Sequence, residues 1–253
     1  MSTHALDIIQ EECYTLFRIV KLIKNMTTKT VEKSKIEEMA NAGLHFGHRF
    51  SKKNPNMNPY IEGAKGSVHI INLQKTEEKM DEVLERLKEL KSEEKVVMLV
   101  CTKPEFKDMV SGVAEECNLP YVVNRFLGGM ITNFKVIKKR IDYYNKIIEQ
   151  KESGELERKY TKQERVKISK ELESLEKKFY GLRNLKKIPD ALFVIDAVND
   201  KLAVKEAKMT GIEVIGIADT NTNPKELDLF VPANDDAISS VKYILEKVKK
   251  VLK

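Results

Sequence analysis

Asp196 and Asp219 each follow a short apolar run, Ala191–Ile195 and Val214–Ile217. If those runs are neighbouring parallel strands, both carboxylates stand at the carboxyl edge of a sheet, where α/β proteins bind ligands. There they could hold a cation or work as an acid–base pair. They could equally cap the helices and order the loops that follow. His45-Phe46-Gly47-His48 has a spacing that suits metal ligation only on a helix. Gly43 and Gly47 mark a turn instead, and no Cys or carboxylate cluster lies nearby in sequence. Gly128-Gly129, between a predicted strand and a predicted helix, could turn backbone amides toward a phosphate. Neither the dinucleotide nor the P-loop glycine pattern accompanies it, so a tight turn is the plainer role. His69 reads as a packed strand histidine. No Ser or Cys has a His and an acid as partners. The expectation is a non-enzyme with no catalytic residue, metal or cofactor; the alternative is an α/β enzyme or binding protein for a phosphate-containing small ligand at the sheet edge.

Basic residues form the other chemical group. Lys135, Lys138, Lys139 and Arg140 cluster at the start of a predicted helix, where cations oppose the helix dipole. That placement does nothing for the helix alone and points to an external anion. A second patch holds Arg49, Lys52, Lys53 and Lys65, with Glu62 as its only acid. Lys and Arg on phosphates release counterions, which is the footprint of nucleic-acid binding; a lysine-rich solvated surface gives the same composition.

The chain has 253 residues, 45 Lys+Arg against 39 Asp+Glu, a net charge of +6 and 42% hydrophobic residues. That length builds one large domain or two modest ones, and the apolar fraction excludes a disordered chain. No apolar run approaches a membrane span. Cys13, Cys101 and Cys117 lie far apart, so neither a disulfide framework nor a zinc module is indicated and a reducing compartment is the default. The charge is unevenly placed. Residues 132–187 hold 17 Lys+Arg against 9 Asp+Glu, net +8, while the remainder holds 28 against 30, net −2.

Elements must position these groups. Ser67–Ile71, Val96–Cys101, Tyr121–Val123, Ala191–Ile195, Val214–Ile217 and Leu229–Val231 read as strands. Thr76–Leu90, Glu105–Cys117, Leu202–Met209 and the stretch from Asp236 onward read as helices. Strands apolar on both faces, separated by helices, mean parallel strands with crossovers. The reading is an α/β fold: a doubly wound, flavodoxin-like parallel sheet of about five strands. Between Thr132 and Asn184 no strand signal occurs. Phe134, Ile137, Ile141, Tyr144 and Ile148 form one heptad-like seam, and Ile168, Leu172, Leu175, Phe179 and Leu182 another, around a link containing Gly154. Thr161 and Glu164 fit a capping box. This predicts an inserted antiparallel coiled-coil helical hairpin over 132–184, with the body formed by 35–131 and 185–253. Residues 1–34 read as an N-terminal extension whose Leu6, Ile9, Cys13, Leu16, Val20 and Ile23 line one stripe of an amphipathic helix. Its acidic residues argue against a targeting peptide, and Met26 is a candidate internal start.

Seven strings carry a resemblance. These are Gly43-Leu44-His45-Phe46-Gly47-His48, Asn54-Pro55-Asn56-Met57-Asn58-Pro59-Tyr60-Ile61 and His69-Ile70-Ile71-Asn72-Leu73-Gln74-Lys75-Thr76. Further on come Arg125-Phe126-Leu127-Gly128-Gly129-Met130-Ile131-Thr132-Asn133-Phe134 and Pro189-Asp190-Ala191-Leu192-Phe193-Val194. Asp219-Thr220-Asn221 and Asn234-Asp235-Asp236-Ala237-Ile238 complete the set. In that order, from about Ile36 to Val251, the chain resembles the bacterial-type small-subunit ribosomal protein two family. The resemblance implies an α/β body with a coiled-coil insertion and a non-enzymatic role in the cytoplasmic small ribosomal subunit, or an organellar one. It implies small-subunit rRNA, neighbouring ribosomal proteins and the mRNA-binding ribosomal protein one as partners, with no membrane and no small-molecule substrate. By motif, Arg125, Lys135, Lys138, Lys139 and Arg140 would meet phosphates, and Asn54, Asn58 and Asn133 would meet sugars or order loops. Tyr60 would stack on a base, and Phe46 would pack.

The chain departs from that pattern in places. It has no Trp, although the family usually has one near Lys53 and another at Phe126. Glu213 stands where Pro or Ala is common, and Ala233 and Ser239 replace a usual Gly and Arg. These changes imply weaker phosphate contact near the last helix.

Overall fold

The computed structural model describes residues 35–253, so the predicted helix Leu6–Ile23 and Met26 lie outside the described residues. A helix over residues 35–41 (α1) leads into a small antiparallel sheet of β1 (Phe46–Arg49), β2 (Ile61–Lys65) and β3 (Val68–Ile71), ordered β1-β3-β2. The run predicted as Ser67–Ile71 therefore belongs to this sheet and not to the parallel one. Asn72 then caps α2 (Leu73–Ser92), its side chain accepting from the amides of Gln74 and Lys75, as short polar side chains do at helix starts.

The remaining strands are β4 (Val97–Val100), β5 (Tyr121–Val122), β6 (Ala191–Val194), β7 (Glu213–Ala218) and β8 (Leu229–Pro232). They pair in parallel in the order β5-β4-β6-β7-β8, the order of flavodoxin-type sheets, with a switch point between β4 and β6. Two aspartates fix strand starts from neighbouring loops: Asp190 accepts from the Val96 amide and Asp228 from the Val214 amide, both at 2.8 Å.

Side-chain alternation sorts the core into two layers. Val97, Leu99, Phe193, Ile195, Ile215 and Ile217 face one way, toward α1, α2, α3 (Lys107–Glu116) and the last helix, α8 (Ile238–Leu252). Met98, Val100, Val122, Leu192, Val194 and Val214 face the other way, toward α4 (Phe134–Glu152), α6 (Lys162–Phe179) and α7 (Lys201–Thr210). Each such side chain contributes roughly 1.5–3 kcal/mol when buried. This two-sided burial explains why β4 and β6 read as unbroken apolar runs.

No strand interrupts residues 132–184. The link between α4 and α6 turns at Gly154, whose φ of +69° favours glycine, and then adds a short helix, α5 (Glu155–Lys159). Thr161 donates its backbone N–H to the Glu164 carboxylate at 2.9 Å, opening α6. Of the seam residues, Ile141, Tyr144, Leu172, Leu175, Phe179 and Leu182 are buried. They share one cluster with Met98, Val100 and Leu192 of the sheet, so the α4–α6 pair is rooted in the second core layer.

Candidate functional site

Helix N-termini and strand ends converge at the carboxyl edge of the sheet. Lys103, just beyond β4, reaches across the switch point to Asp196 beyond β6 at 2.7 Å, Asp236 at 2.6 Å and Asp235 at 3.3 Å. Burial works against its charge, but these carboxylates outweigh that and hold its pKa above the usual lysine range. Asp196 also accepts from the amides of Val198 and Asn199, each at 2.9 Å. Its task is therefore loop ordering and pairing with Lys103. Asp219 turns elsewhere: its carboxylate meets His48 Nδ1 at 3.0 Å. The acid–base pair of Asp196 with Asp219 is not assembled, because each carboxylate has a different basic partner.

His45 and His48 do not face a common point either. His45 lies in a turn and Phe46–Arg49 is extended, so the segment is not helical, and the His45 ring lies tilted 4.0 Å from that of Phe46. His48 instead joins Asp219 and Asp235, the three offering ligand atoms within 4.8 Å of one another. One imidazole nitrogen and two carboxylate oxygens make a donor set suited to a divalent cation. Sequence reading missed this grouping because its members come from β1 and from the loops after β7 and β8. Asp235 is almost fully buried, and its Oδ2 has no hydrogen-bond partner among the described residues. Burial, then the nearby Asp196 and Asp219, push its pKa up to about 7. His48 is raised by its bond to Asp219. Gly47 permits the approach, since a Cβ there would stand 2.5 Å from the Thr220 side chain, and the His48 amide donates to Thr220 Oγ1 at 2.8 Å.

The Gly128-Gly129 turn does not wait for a phosphate. Glu206 of α7, a buried carboxylate, accepts from the amides of Gly129 at 2.6 Å, Ile131 at 3.0 Å and Thr132 at 3.2 Å, and from the Thr132 hydroxyl. An internal anion thus fills the amide cradle and fixes the start of α4.

That clasp sets the basic residues. Arg125, Asn133, Lys135, Lys139 and Arg140 are exposed around the turn and the first turns of α4, and Lys138 is half-buried beside Asp142 at 2.9 Å. Asn133 stands at the α4 N-cap without a capping bond from its side chain. The second patch is separate in sequence. Arg49, Lys52, Lys53 and Lys65 are all exposed on and beside the small sheet. Asn54 is occupied locally, accepting from the Asn56 amide at 3.0 Å, while Asn58 is exposed. Tyr60 packs edge-on against Phe230 at 5.2 Å and is half-buried. Phe46, expected to pack, is 43% exposed. A phenylalanine that sequence reasoning passed over, Phe50, is 48% exposed within the same patch.

The model of the family described as Ribosomal protein S2 matches residues 39–253. The chain belongs to that family. It is 45% identical over 213 residues to the small ribosomal subunit protein uS2 of Petrotoga mobilis, covering 84% of this chain and 74% of that protein. The uS2 of Dictyoglomus thermophilum is 42% identical over 213 residues, 84% of this chain and 86% of its own length. That of Psychrobacter cryohalolentis is 40% identical over 216 residues, with 85% and 81% covered. Members of the S2 family are ribosomal proteins and not enzymes, in keeping with the dispersal of Asp196 and Asp219.

The residues read from the sequence as departures from the S2 family pattern have internal roles. Glu213 accepts a fork from Arg86 of α2, with N···O distances of 2.9–3.2 Å, tying that helix to the start of β7. Ala233 is buried in the first core layer. The Ser239 hydroxyl donates to the Ala42 carbonyl at 2.7 Å, joining α8 to the end of α1. Two of these departures are thus fold contacts within the body, and the third is core filling.

Proposed function

We propose that this chain is a structural constituent of the small ribosomal subunit that binds small-subunit rRNA and neighbouring ribosomal proteins. Its family membership supports the subunit. The observation that carries the RNA reading is the pair of exposed cationic surfaces, Arg125–Arg140 and Arg49–Lys65, on a chain whose other residues are nearly neutral. Arg49, Lys52, Lys53, Lys65, Arg125, Lys135, Lys138, Lys139 and Arg140 serve phosphates; Asn58, Asn133 and Tyr60 serve sugars or base edges; Asn54 orders its loop.

In this reading residues 35–131 and 185–253 form the body. Residues 132–184 extend from it as an antiparallel coiled coil with a charged outer surface, and residues 1–34 form an extension. The seam of Ile141, Tyr144, Leu172 and Leu175 supports that arrangement. The mRNA-binding ribosomal protein one is a partner at the subunit surface, in the cytoplasm. Among the described residues no helix is long and apolar enough to cross a membrane. Sedimentation of a cell lysate through a gradient tests the proposal: the chain should travel with small subunits, and finding it only in the free fraction would overturn it.

A further inference from the structure

Phe50 lies just past β1, and its ring stays half-exposed although it stands edge-on 4.6 Å from the ring of His69. Leaving so much aromatic surface in water forgoes about half of the gain that burial gives. Its surroundings are cationic, with Arg49, Lys52 and Lys53 adjoining it and Glu62 the acid of the patch. The sheet beside it is low. Ala64 of β2 pairs with His69, and a Cβ on Gly63 or Gly66 would meet no atom within 4 Å. Behind the ring, His69 is 8% exposed, and its Nε2 has no hydrogen-bond partner among the described residues.

An exposed aromatic ring with cations beside it in the chain is what an unpaired nucleobase and its flanking phosphates require. A duplex keeps its base faces covered by stacking and would use the cations alone. An aliphatic protein surface would cover the ring equally well, but it would leave the neighbouring cations uncompensated.

We propose that Phe50 is the stacking seat for one unpaired nucleobase of RNA, with Arg49, Lys52 and Lys53 on the phosphates to either side. The proposal rests on the rRNA-binding reading and names the class of RNA that this patch takes.

Fluorescence anisotropy with the full chain separates the two ideas. The probes are a mixed-sequence single-stranded RNA and a fully paired hairpin with the same number of phosphates. Phe50→Leu should weaken single-strand binding about 5–150-fold, the range of one missing base stack. Duplex binding should hold within about twofold and the salt slope should stay the same, since no cation is removed. Phe50→Tyr should retain the parent affinity. Equal single-strand affinity for Phe50→Leu and parent, or an equal loss on both RNAs, would overturn the proposal. A parent chain that binds neither RNA would instead overturn the reading beneath it. In isolated small subunits, a photoreactive phenylalanine analogue at position 50 should crosslink to RNA; crosslinks solely to protein would also overturn it.

Discussion

The Glu206 carboxylate lies 2.6 Å from the Gly129 amide nitrogen and 3.0 Å from that of Ile131, so α7 supplies the anion that the turn before α4 needs. Converging amides at a helix start attract negative charge. A protein that bound a phosphate there would leave them free; this one satisfies them internally. The consequence is positional: the turn between Arg125 and Lys135 is tied to α7, which sets where the backbone presents both.

Glu206→Ala removes the acceptor of three amides and leaves them buried or half-buried without a partner. The expected loss is about 2–4 kcal/mol, from unsatisfied donors and a broken charge-assisted network. Inorganic phosphate or sulfate should partly restore the variant and leave the parent unchanged. Urea denaturation with and without sulfate, against chloride at equal ionic strength, measures both effects. Identical sulfate stabilisation of parent and variant would show that the cradle is not where the anion acts.

Neutralising Lys138, Lys139 and Arg140 together should weaken RNA association and reduce the salt slope by about 0.7–0.9 for each phosphate no longer neutralised. The same change at Lys247, Lys249 and Lys250 should matter less. Lys249 is already paired with Glu116 at 2.6 Å, and Lys247 lies over the Tyr243 ring. The competing Lys138–Asp142 pair is a surface i,i+4 helix pair with an exposed carboxylate, worth only about 0.3–0.5 kcal/mol, too little to withhold Lys138 from a phosphate. Binding isotherms across a salt series decide it; equal losses at the two places would mean that only net charge matters.

The parallel sheet was legible because β4 and β6 are buried on both faces, which forces continuous apolar runs. The α4 and α6 seams were legible through their period. The small sheet was not: β2 carries Gly63 and Ala64, is exposed along most of its length, and meets β3 through an irregular register. No alternation survives in such a strand. The basic surfaces could be read directly, since an exposed cation needs no internal partner. The Glu206 clasp and the His48–Asp219 contact could not, because they join residues 77 and 171 positions apart. Only the crossover topology brings them together.

Thiol chemistry should separate the two described cysteines. Cys101 is fully buried, and burial pushes its pKa up to about 12. At pH 8 only roughly one molecule in ten thousand carries that thiolate. Cys117, at the end of α3, is half-buried and its pKa is also raised by burial, but it reaches solvent. Iodoacetamide labelling of the native protein, read by peptide mass spectrometry, should modify Cys117 at least about a hundredfold faster. Comparable rates would mean that the edge at Cys101 opens readily.

Asp235 and His48 should each contribute less stability as pH rises, in separate windows. The folded state holds Asp235 at about 7, above its ordinary value of 3.8. Between those values the folded chain binds the extra proton, so the contribution of Asp235 to stability is greatest below about pH 4 and declines until about pH 7. The size is on the order of 1–4 kcal/mol for this buried group. His48 is raised above 6.5 by its bond to Asp219; its contribution is complete below 6.5 and is lost as pH climbs through the folded value. Asp235→Asn should therefore flatten the acid-side decline and leave the part above 6.5, whereas His48→Gln should do the reverse. The measurement is the denaturation midpoint across a pH series, in buffer with a chelator, since a divalent cation between these ligands favours their deprotonated forms. A parent-minus-Asp235→Asn difference that does not change between pH 4 and 7 would mean that Asp235 is ionised in the fold, with Lys103 compensating its charge completely.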